Sequence, residues 1–363
     1  MTAGGAGAGP AAVAAEAIRV RVPFRRPLTT SAGTWTHRES WIVRLSGASG
    51  EVGVGEAALD FGVDTDVAAE LERLIRRTIE GLGRGGRLPS AAELENAGVA
   101  GRALRCAIDS ALLERVSPQS VAVNATIGYL ELPELEAAAR RAVAAGFGTI
   151  KMKVGPEPDT ASLVMRVACV RAAAGSEVRL RLDANGAWDV ATARERIAAA
   201  APFGIELVEQ PVAEGDPRDL AVIRGGLPAP IAADESVRSV AAARELLAVR
   251  AAAVLVVKPS RVGGPVAALE IAALAAADGI PVVISTLFET GVGLVAALSL
   301  AASLPVAGAT ELAHGLATAD LLESDLLTAP LRVAGGRMTG PASVSLDEDA
   351  LARCAVEWIG RRR

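Results

Sequence analysis

The amino-acid sequence predicts an α/β protein in which a parallel β/α barrel follows a smaller α+β unit. From residue 121 onward, eight short apolar runs typical of strands alternate strictly with alanine-rich stretches typical of helices. Between residues 16 and 56, by contrast, strand-like runs follow one another with no helical pattern between them. Strict alternation favours a parallel sheet that carries its helices on the outside.

The composition indicates a folded chain of about two domains. The chain has 363 residues, of which 51% are hydrophobic and 22% charged, so the material for a sizeable core is present. The formal net charge is −5 and no basic block precedes residues 361–363, so a nucleic-acid partner is not expected. Three cysteines without metal-like spacing are interpreted as reduced thiols of a cytoplasmic protein.

No segment of the sequence is predicted to span a membrane. The longest uncharged run, residues 290–310, is interrupted by glycine and proline, which favours a buried helix followed by a loop and a strand. Residues 1–15 are almost entirely alanine and glycine and are predicted to form a disordered tail. The sequence leaves open whether the chain forms a homo-oligomer.

The α+β unit is predicted to span residues 16–118. Strands are expected at 17–22 and 40–45, on either side of a polar segment at 29–38, and helices at 66–80 and 100–115. Residues 329–363 are predicted to return to this unit from the barrel.

The barrel is predicted to span residues 119–328. Its strands are expected at 121–125, 149–153, 178–183, 207–209, 231–233, 254–257, 282–285 and 310–312. Its helices are expected at 132–145, 159–174, 190–201, 216–225, 241–249, 265–277 and 292–303. No long helical pattern follows the eighth strand, so the predicted fold is a modified TIM barrel of the (β/α)7β-like type.

Lysine is rare in this chain. Of 37 basic residues only three are lysines, namely Lys151, Lys153 and Lys258. Codon bias alone would also remove lysine, so the neighbours of these three residues decide whether they matter. An ammonium group can lose its proton whereas a guanidinium group cannot, which makes the retained lysines candidates for proton transfer.

Polar residues stand where successive predicted strands end. Asp183, Glu209, Asp234 and Lys258 follow one another at intervals of 26, 25 and 24 residues, about one βα unit each. Each interval therefore returns the chain to the same rim of the barrel, its C-terminal face, where barrel enzymes carry their chemistry. A single carboxylate at a strand end is usually a solvated loop residue or a helix cap, but the whole series together favours an active site.

The residue types at this rim suit a hard metal ion and a proton transfer. Three carboxylates from adjacent strands form an oxygen site of the kind that Mg²⁺ or Mn²⁺ prefers. Strand alternation places Lys151 and Lys153 on one face, and Lys258 is expected across the barrel mouth. Removing a proton next to a carboxylate creates a dianionic enediolate, which a metal ion stabilises and which a lysine can generate.

At these residues the sequence resembles the enolase superfamily, in particular its muconate-lactonizing subgroup. The resemblance implies that Asp183, Glu209 and Asp234 bind Mg²⁺, with Mn²⁺ as an alternative. It implies that Lys153 and Lys258 are the acid/base pair and that Lys151 polarises the carboxylate of a small-molecule substrate. The N-terminal unit would then be a capping domain that closes the site with residues 29–35 and 57–64.

The stretches 285–293 and 314–325 are similar to the o-succinylbenzoate synthases of the menaquinone pathway. Those enzymes dehydrate a succinyl-hydroxycyclohexadiene carboxylate to an aromatic acid. The resemblance implies that Lys153 removes the α-proton and then assists departure of hydroxide, while Lys258 stays protonated. It places substrate or supporting contacts at Thr126, Arg181, Asn185 and Ser285.

Other activities remain open at this stage. N-acylamino-acid racemases use the same metal and both lysines, and a muconate cycloisomerase is a further alternative. Dipeptide epimerases share an Asp-x-Asp motif after the eighth strand, whereas this sequence has Glu311, Leu312, Ala313, His314, Gly315 and Leu316. The His–Asp pair of mandelate-racemase-type members has no counterpart at the expected positions. A carboxylate-binding barrel without turnover is the alternative outside enzymes.

Overall fold

An antiparallel cap and a parallel barrel make up the computed structural model, which describes residues 12–30, 33–113, 120–305, 311–341 and 344–360. The cap contains a four-stranded sheet formed by β1 (Ala12–Thr30), β2 (Gly33–Gly47), β3 (Val52–Ala57) and β14 (Ala355–Ile359). The strand order in this sheet is β14-β1-β2-β3. Its helices are α1 (Thr65–Gly83), α2 (Ala91–Asn96) and α3 (Gly98–Leu112).

The first two strands are longer than the sequence indicated. The predicted polar break at 29–38 is wrong for residues 33–38, which belong to β2 and pair with β1 up to the tip of a hairpin. Their polar side chains include half-buried and exposed positions, and Arg21 of β1 binds Glu39 of β2 at 2.9 Å, so polarity does not interrupt the ladder. The predicted disordered tail is wrong for residues 12–15, which begin β1, and residues 1–11 lie outside the described residues.

Two glycines allow α3 to lie directly on the sheet of the cap. A side chain at Gly53 or Gly55 of β3 would collide with the backbone carbonyl of Ala111 or Ala107 in α3. Close approach of helix and strand therefore explains the Gly-x-Gly spacing at this position. The helices bury a cluster that includes Trp41, Leu71, Ile75, Leu104 and Ile108.

Seven parallel strands form the barrel sheet: β5 (Ala125–Ile127), β6 (Thr149–Lys153), β7 (Arg179–Asp183), β8 (Ile205–Glu209), β9 (Ile231–Ala233), β10 (Val254–Val257) and β11 (Val282–Ile284). Their order in the sheet is β11-β10-β9-β8-β7-β6-β5. The predicted fold class is confirmed, since strands and helices alternate throughout this part of the chain.

The helices lie between these strands in sequence. They are α4 (Leu132–Ala144), α5 (Thr160–Ala174), α6 (Val190–Ala200), α7 (Pro217–Arg224), α8 (Val240–Ala248), α9 (Pro259–Val262), α10 (Pro265–Ala277) and α11 (Gly291–Ser303). Several begin at a side-chain cap that accepts a backbone N–H of the first turn: Asp159, Asp189, Asp216, Ser239 and Thr290. These N-cap side chains thus fix the residues at which the helices begin after the loops of the rim.

The first predicted strand is divided in two. Residues 120–122 form β4 (Ser120–Ala122), which pairs antiparallel with β13 (Arg337–Thr339) beside β12 (Val333–Ala334), and only β5 joins the barrel. After β13 the chain forms α12 (Glu348–Cys354) and enters β14, which pairs with β1 of the cap.

Within the described residues, two isolated bridges hold the eighth barrel position. His314 forms a parallel bridge with Val123, and Gly315 forms one with Ser285, so this segment joins the two edges of the parallel sheet. The strand predicted at 310–312 therefore bridges later along the chain, and residue 310 lies outside the described residues. A short 3-10 turn, Ala319–Leu321, follows in place of a long helix.

A buried carboxylate joins the cap to the barrel. Glu56 of β3 accepts hydrogen bonds from the hydroxyl of Ser40 at 2.6 Å, from the hydroxyl and backbone N–H of Thr290, and from the N–H of Gly293. The last three donors belong to the N-terminal end of α11, where negative charge is favoured. This contact holds the cap against the rim of the barrel.

None of the helices within the described ranges has both the length and the apolar character needed to cross a bilayer. The three cysteines, Cys106, Cys169 and Cys354, are free.

Closure of the barrel at His314 predicts a specific pH dependence of stability. Nδ1 of His314 accepts the backbone N–H of Ile284 at 3.0 Å, and burial together with the charge of Arg181 lowers the pKa of this imidazole to about 4. The native state therefore favours the neutral ring, so stability is complete above about pH 6.5 and is lost as the pH falls towards 4. The loss amounts to about 3 kcal/mol at most.

Urea unfolding between pH 8 and pH 4 tests this dependence. Asn at position 314 can accept the same N–H without titrating, so the free energy of unfolding of wild type should fall relative to that of His314→Asn as the pH falls. Parallel pH profiles of the two proteins would contradict the role given to His314.

Candidate active site

Three carboxylates form a row at the C-terminal ends of adjacent barrel strands. Asp183 and Glu209 are the last residues of β7 and β8 and are paired in register, and Asp234 directly follows β9. All three are buried, with exposures of 0%, 3% and 1%. Buried carboxylates require compensation by positive charge or hydrogen bonds, so the groups around this row determine what it can do.

Two lysines of β6 supply part of that compensation. Nζ of Lys151 lies 2.7 Å from Asp183 Oδ2 and 2.8 Å from Glu209 Oε1. Nζ of Lys153 lies 2.7 Å from Asp183 Oδ2 and 2.7 Å from the side-chain oxygen of Asn185. Both ammonium groups therefore face the same end of the acidic row, as strand alternation requires.

The third lysine reaches the other end of the row. Nζ of Lys258, directly after β10, lies 2.6 Å from Asp234 Oδ2. The other oxygen of Asp234 accepts a hydrogen bond from Nη1 of Arg261 at 2.8 Å. Arg261 donates two further hydrogen bonds to Asp60 of the cap. A cap loop and an acidic rim residue thus share one guanidinium group.

The pKa values of these groups record how tightly the charges interact. Burial alone would raise the pKa of Asp183 and Asp234, but the neighbouring cations outweigh it and hold both well below the usual range. The pKa of Glu209 rises to about 8 because burial and repulsion from Asp183 exceed the attraction of Lys151. Burial disfavours the charge of Lys151, yet the surrounding carboxylates raise the pKa of its ammonium group.

The donor chemistry of this row fits a divalent cation. Three carboxylates that lie on neighbouring strand ends offer the oxygen ligands that Mg²⁺ and Mn²⁺ prefer. Across the residues that the structure describes, no three histidine, cysteine, aspartate or glutamate side chains are already gathered into a metal cluster. The carboxylates are instead directed at the lysine and arginine side chains, which are their nearest partners.

Three of the four predicted substrate contacts lie at this rim. Thr126 is exposed and is paired in register with Lys151. Its hydroxyl oxygen accepts a hydrogen bond from Nδ2 of Asn124 at 3.1 Å. Asn185, in a left-handed backbone conformation with φ +45°, joins Lys153 to Oε1 of Glu235. Ser285 is buried where β11 ends and lies beside Gly315.

Arg181 has different partners from those expected. It lies two residues before Asp183 on the same strand, which places it one layer deeper, and it is only 1% exposed. Its guanidinium group is bound to Glu206 and to the carbonyl oxygen of Ala313 at 2.7 Å. These contacts support the barrel interior, which is one of the two roles expected for Arg181, and a direct contact with substrate stays a prediction.

Aromatic side chains of the cap cover the mouth of the barrel. Trp35 and Phe61 stack at a centroid distance of 4.9 Å, and Phe61 also lies 5.9 Å from Phe288, which follows β11. The guanidinium group of Arg38 lies 5.0 Å from the ring of Phe61. Both cap segments predicted to close the site contribute here, although residues 31 and 32 of the first lie outside the described residues.

Sequence reasoning missed two groups that this geometry singles out. Arg261 lies three residues after Lys258, which is about one helical turn. This spacing could have indicated that both side chains bind the same carboxylate, Asp234. Gln210 directly follows Glu209 and is fully buried, but nothing in the sequence shows that its side chain reaches the end of the next strand.

A parallel barrel with acidic strand ends, facing lysines and an α+β cap defines a class of barrel enzyme that carries its chemistry at the C-terminal rim. The chain belongs to the enolase superfamily: the family described as "Enolase C-terminal domain-like" matches residues 134–350. The predicted resemblance to the muconate-lactonizing subgroup is confirmed by its relatives and by its structural neighbours.

Similar proteins carry several different activities. The chain is 40% identical over 246 residues to o-succinylbenzoate synthase of Thermobifida fusca, which covers 67% of this chain and 74% of that protein. It is 30% identical over 371 residues to N-succinylamino acid racemase of Amycolatopsis, covering 95% and 98%. It is 32% identical over 309 residues to L-Ala-D/L-Glu epimerase of Bacillus subtilis, covering 79% and 84%.

Solved structures show the same architecture over almost the whole chain. Muconate lactonizing enzyme from Pseudomonas fluorescens, complexed with muconolactone, superposes with a TM-score of 0.81 at 25% identity, covering 96% of this chain and 100% of that chain. Dipeptide epimerase from Cytophaga hutchinsonii, complexed with Mg and the dipeptide D-Ala-L-Val, superposes with a TM-score of 0.79 at 25% identity, covering 95% and 98%.

The partners of Arg181 predict that its replacement affects stability and not substrate affinity. Arg181→Met leaves Glu206 with a weakened counter-charge inside the barrel, which should lower the free energy of unfolding by about 3 kcal/mol. Chemical denaturation measures this loss, and the KM of the active protein should change less than about threefold. A large rise in KM with unchanged stability would restore Arg181 as a substrate contact.

Proposed function

We propose that this protein removes the proton α to a carboxylate and acts as an o-succinylbenzoate synthase. The arrangement of Lys153 and Lys258 carries the proposal, because they meet the acidic row from opposite ends, while Lys151 binds Asp183 and Glu209 from the same strand as Lys153. A lysine as base with a divalent metal as electrostatic support is the established pattern of the enolase superfamily. Identity to the synthase of Thermobifida fusca supports this activity.

The residues divide the reaction between them. Lys153 Nζ, held by Asp183 and Asn185, takes the proton from the α-carbon of the succinyl-hydroxycyclohexadiene carboxylate. The electron pair of the broken C–H bond forms the new C=C bond, and the C–O bond to the hydroxyl group breaks. Lys153 returns its proton to the departing hydroxide on the same face, so water leaves and the ring becomes aromatic.

Two further groups stabilise the charge that develops. Lys151, whose pKa is raised by the surrounding carboxylates, stays protonated and can polarise the substrate carboxylate. Lys258, paired with Asp234, supplies a cation on the opposite side of the substrate. A divalent metal ion, for which we propose Mg²⁺, would be held by Asp183, Glu209 and Asp234 and would stabilise the negative charge of the enediolate. The dipeptide epimerase from Cytophaga hutchinsonii is complexed with Mg, which supports this choice.

N-succinylamino acid racemase is the second candidate. It is favoured by the presence of an ammonium group at each end of the acidic row, because a racemase must exchange a proton on both faces of the α-carbon. The similarity to N-succinylamino acid racemase of Amycolatopsis, which extends over 98% of that protein, also supports this candidate. A dipeptide epimerase is less well supported, since residues 311–316 lack the Asp-x-Asp motif expected after the eighth barrel position.

The two lysines should respond differently to substitution. Lys153→Ala should lower turnover of the cyclohexadiene acid by roughly 10²–10⁴-fold, since it removes the base. Lys258→Arg keeps a cation that cannot take a proton, so a synthase should retain measurable dehydration while racemisation is lost. Loss of diene absorbance measures the first reaction, and incorporation of deuterium from D₂O into N-succinyl amino acids measures the second.

These variants distinguish the candidates. Folding is checked by circular dichroism and by the thermal midpoint, which should fall for Lys153→Ala because the buried Asp183 loses one of its two counter-charges, so activities are compared at a temperature at which both proteins are folded. Dehydration by wild type without racemisation selects the synthase alone. If Lys258→Arg is as inactive as Lys153→Ala towards the cyclohexadiene acid, Lys258 is not a passive cation. Retention of most activity by Lys153→Ala would remove it as the base, and absence of exchange with any carboxylate would favour a binding protein.

The acidic row should make both stability and activity depend on a divalent metal. Mg²⁺ at 100 times its dissociation constant should add about 2.7 kcal/mol to the free energy of unfolding, and EDTA should stop turnover until Mg²⁺ is restored. Asp234→Asn should remove most of this stabilisation. Asp109→Asn, which alters a largely buried carboxylate of α3 that is paired with Arg105 and is not one of the three proposed ligands, is the control and should keep it. Turnover that persists in EDTA would contradict the assignment.

A further inference from the structure

A glutamine links the segments that carry the three rim carboxylates. Gln210 follows Glu209 directly, is 0% exposed and uses both ends of its side-chain amide. Its Oε1 accepts the backbone N–H of Asp234 at 2.9 Å and that of Ser236 at 3.2 Å. Its Nε2 donates to the carbonyl oxygen of Val212 at 2.9 Å and to the hydroxyl of Ser236 at 2.8 Å.

The backbone of the same residue extends the link in both directions. The N–H of Gln210 donates to the carbonyl oxygen of Ala232 in β9 at 2.8 Å, and its own carbonyl oxygen accepts the N–H of Gly186 at 2.7 Å. Gly186 lies in the loop that follows Asp183. One residue therefore contacts the loop that follows Asp183, directly adjoins Glu209 at the end of β8 and binds the segment that begins with Asp234.

Both the backbone conformation and the hydrogen bonds of Gln210 restrict which residue can stand at this position. Gln210 has φ +39°, a left-handed conformation that residues other than glycine seldom adopt and that is retained where surrounding contacts hold it. An amide is the neutral side chain that can accept two N–H groups with one atom and donate two hydrogen bonds with the other. An apolar residue of the same length would leave buried N–H and C=O groups without partners.

We infer that Gln210 is a positioning residue that fixes the backbone of Asp234 relative to that of Glu209 and so determines how tightly the rim carboxylates hold a divalent cation. The inference rests on the proposed function, in which these carboxylates are the metal ligands. Gln210 itself contributes no ligand in this role. It holds the carboxylate-bearing segments in register, as groups that surround metal ligands do in other metal sites.

Binding of Mn²⁺ to the purified full-length protein, followed by the EPR signal of the free ion, tests the inference without relying on activity. Gln210→Met keeps the length of the side chain and removes all four hydrogen bonds. Gln210→Asn keeps an amide and tolerates the left-handed backbone, but is one methylene too short to reach Asp234 and Ser236 together. Both substitutions should raise the dissociation constant for Mn²⁺ about 10- to 100-fold.

A matched control separates positioning from general loss of stability. Ile197→Val removes one buried methylene in α6, a helix that carries none of the proposed ligands, and should lower the thermal midpoint while binding Mn²⁺ within about twofold of wild type. If Gln210→Met does not fold, Gln210→Asn decides. Wild-type affinity in the folded Gln210 variants would overturn the inference alone, whereas a wild-type protein that binds no Mn²⁺ would overturn the proposed function as well.

Discussion

The burial of several carboxylates at one rim of the barrel is the constraint on which the rest of the structure depends. Charges removed from water are costly unless opposite charges and hydrogen bonds surround them. Here the compensation comes from strands on both sides of the row, with Lys151 and Lys153 on β6 and Lys258 after β10. The parallel barrel brings these acidic and basic side chains together, because each βα unit returns the chain to the same rim.

The cap contributes both attachment and cover. Glu56 joins its sheet to the N-terminal end of α11, and Asp60 reaches Arg261, which also holds Asp234. Trp35 and Phe61 place apolar surface over the mouth of the barrel. Exclusion of water by such a cover strengthens every electrostatic interaction beneath it, so the cap reinforces the ion pairs of the charged rim.

The sequence predicted the barrel and the acidic rim because both follow from local periodicity. Strand and helix patterns are local, and the even spacing of Asp183, Glu209 and Asp234 reflects the length of one βα unit. Contacts decided by tertiary structure were beyond this reasoning. Alternation places Arg181 on the same face as Asp183 but does not show that its long side chain binds Glu206 one layer deeper.

Other differences have the same origin. Residues 12–15 look like a flexible tail from their composition, yet pairing with β2 extends β1 through them. The eighth barrel position is a pair of bridges at His314 and Gly315, which no period in the sequence marks. The reach of Gln210 to Asp234 likewise depends on the separation of two strand ends, which is known only once the barrel is closed.

Anomalous diffraction from crystals grown with Mn²⁺ tests most directly whether the buried acidic row is a metal site with lysines around it. A single strong anomalous peak bounded by the carboxylates of Asp183, Glu209 and Asp234, with the ammonium groups of Lys153 and Lys258 turned towards the cavity beside it, is the predicted result. A peak elsewhere, or saturating Mn²⁺ with all three carboxylates still bound to the lysine and arginine side chains, would contradict the account.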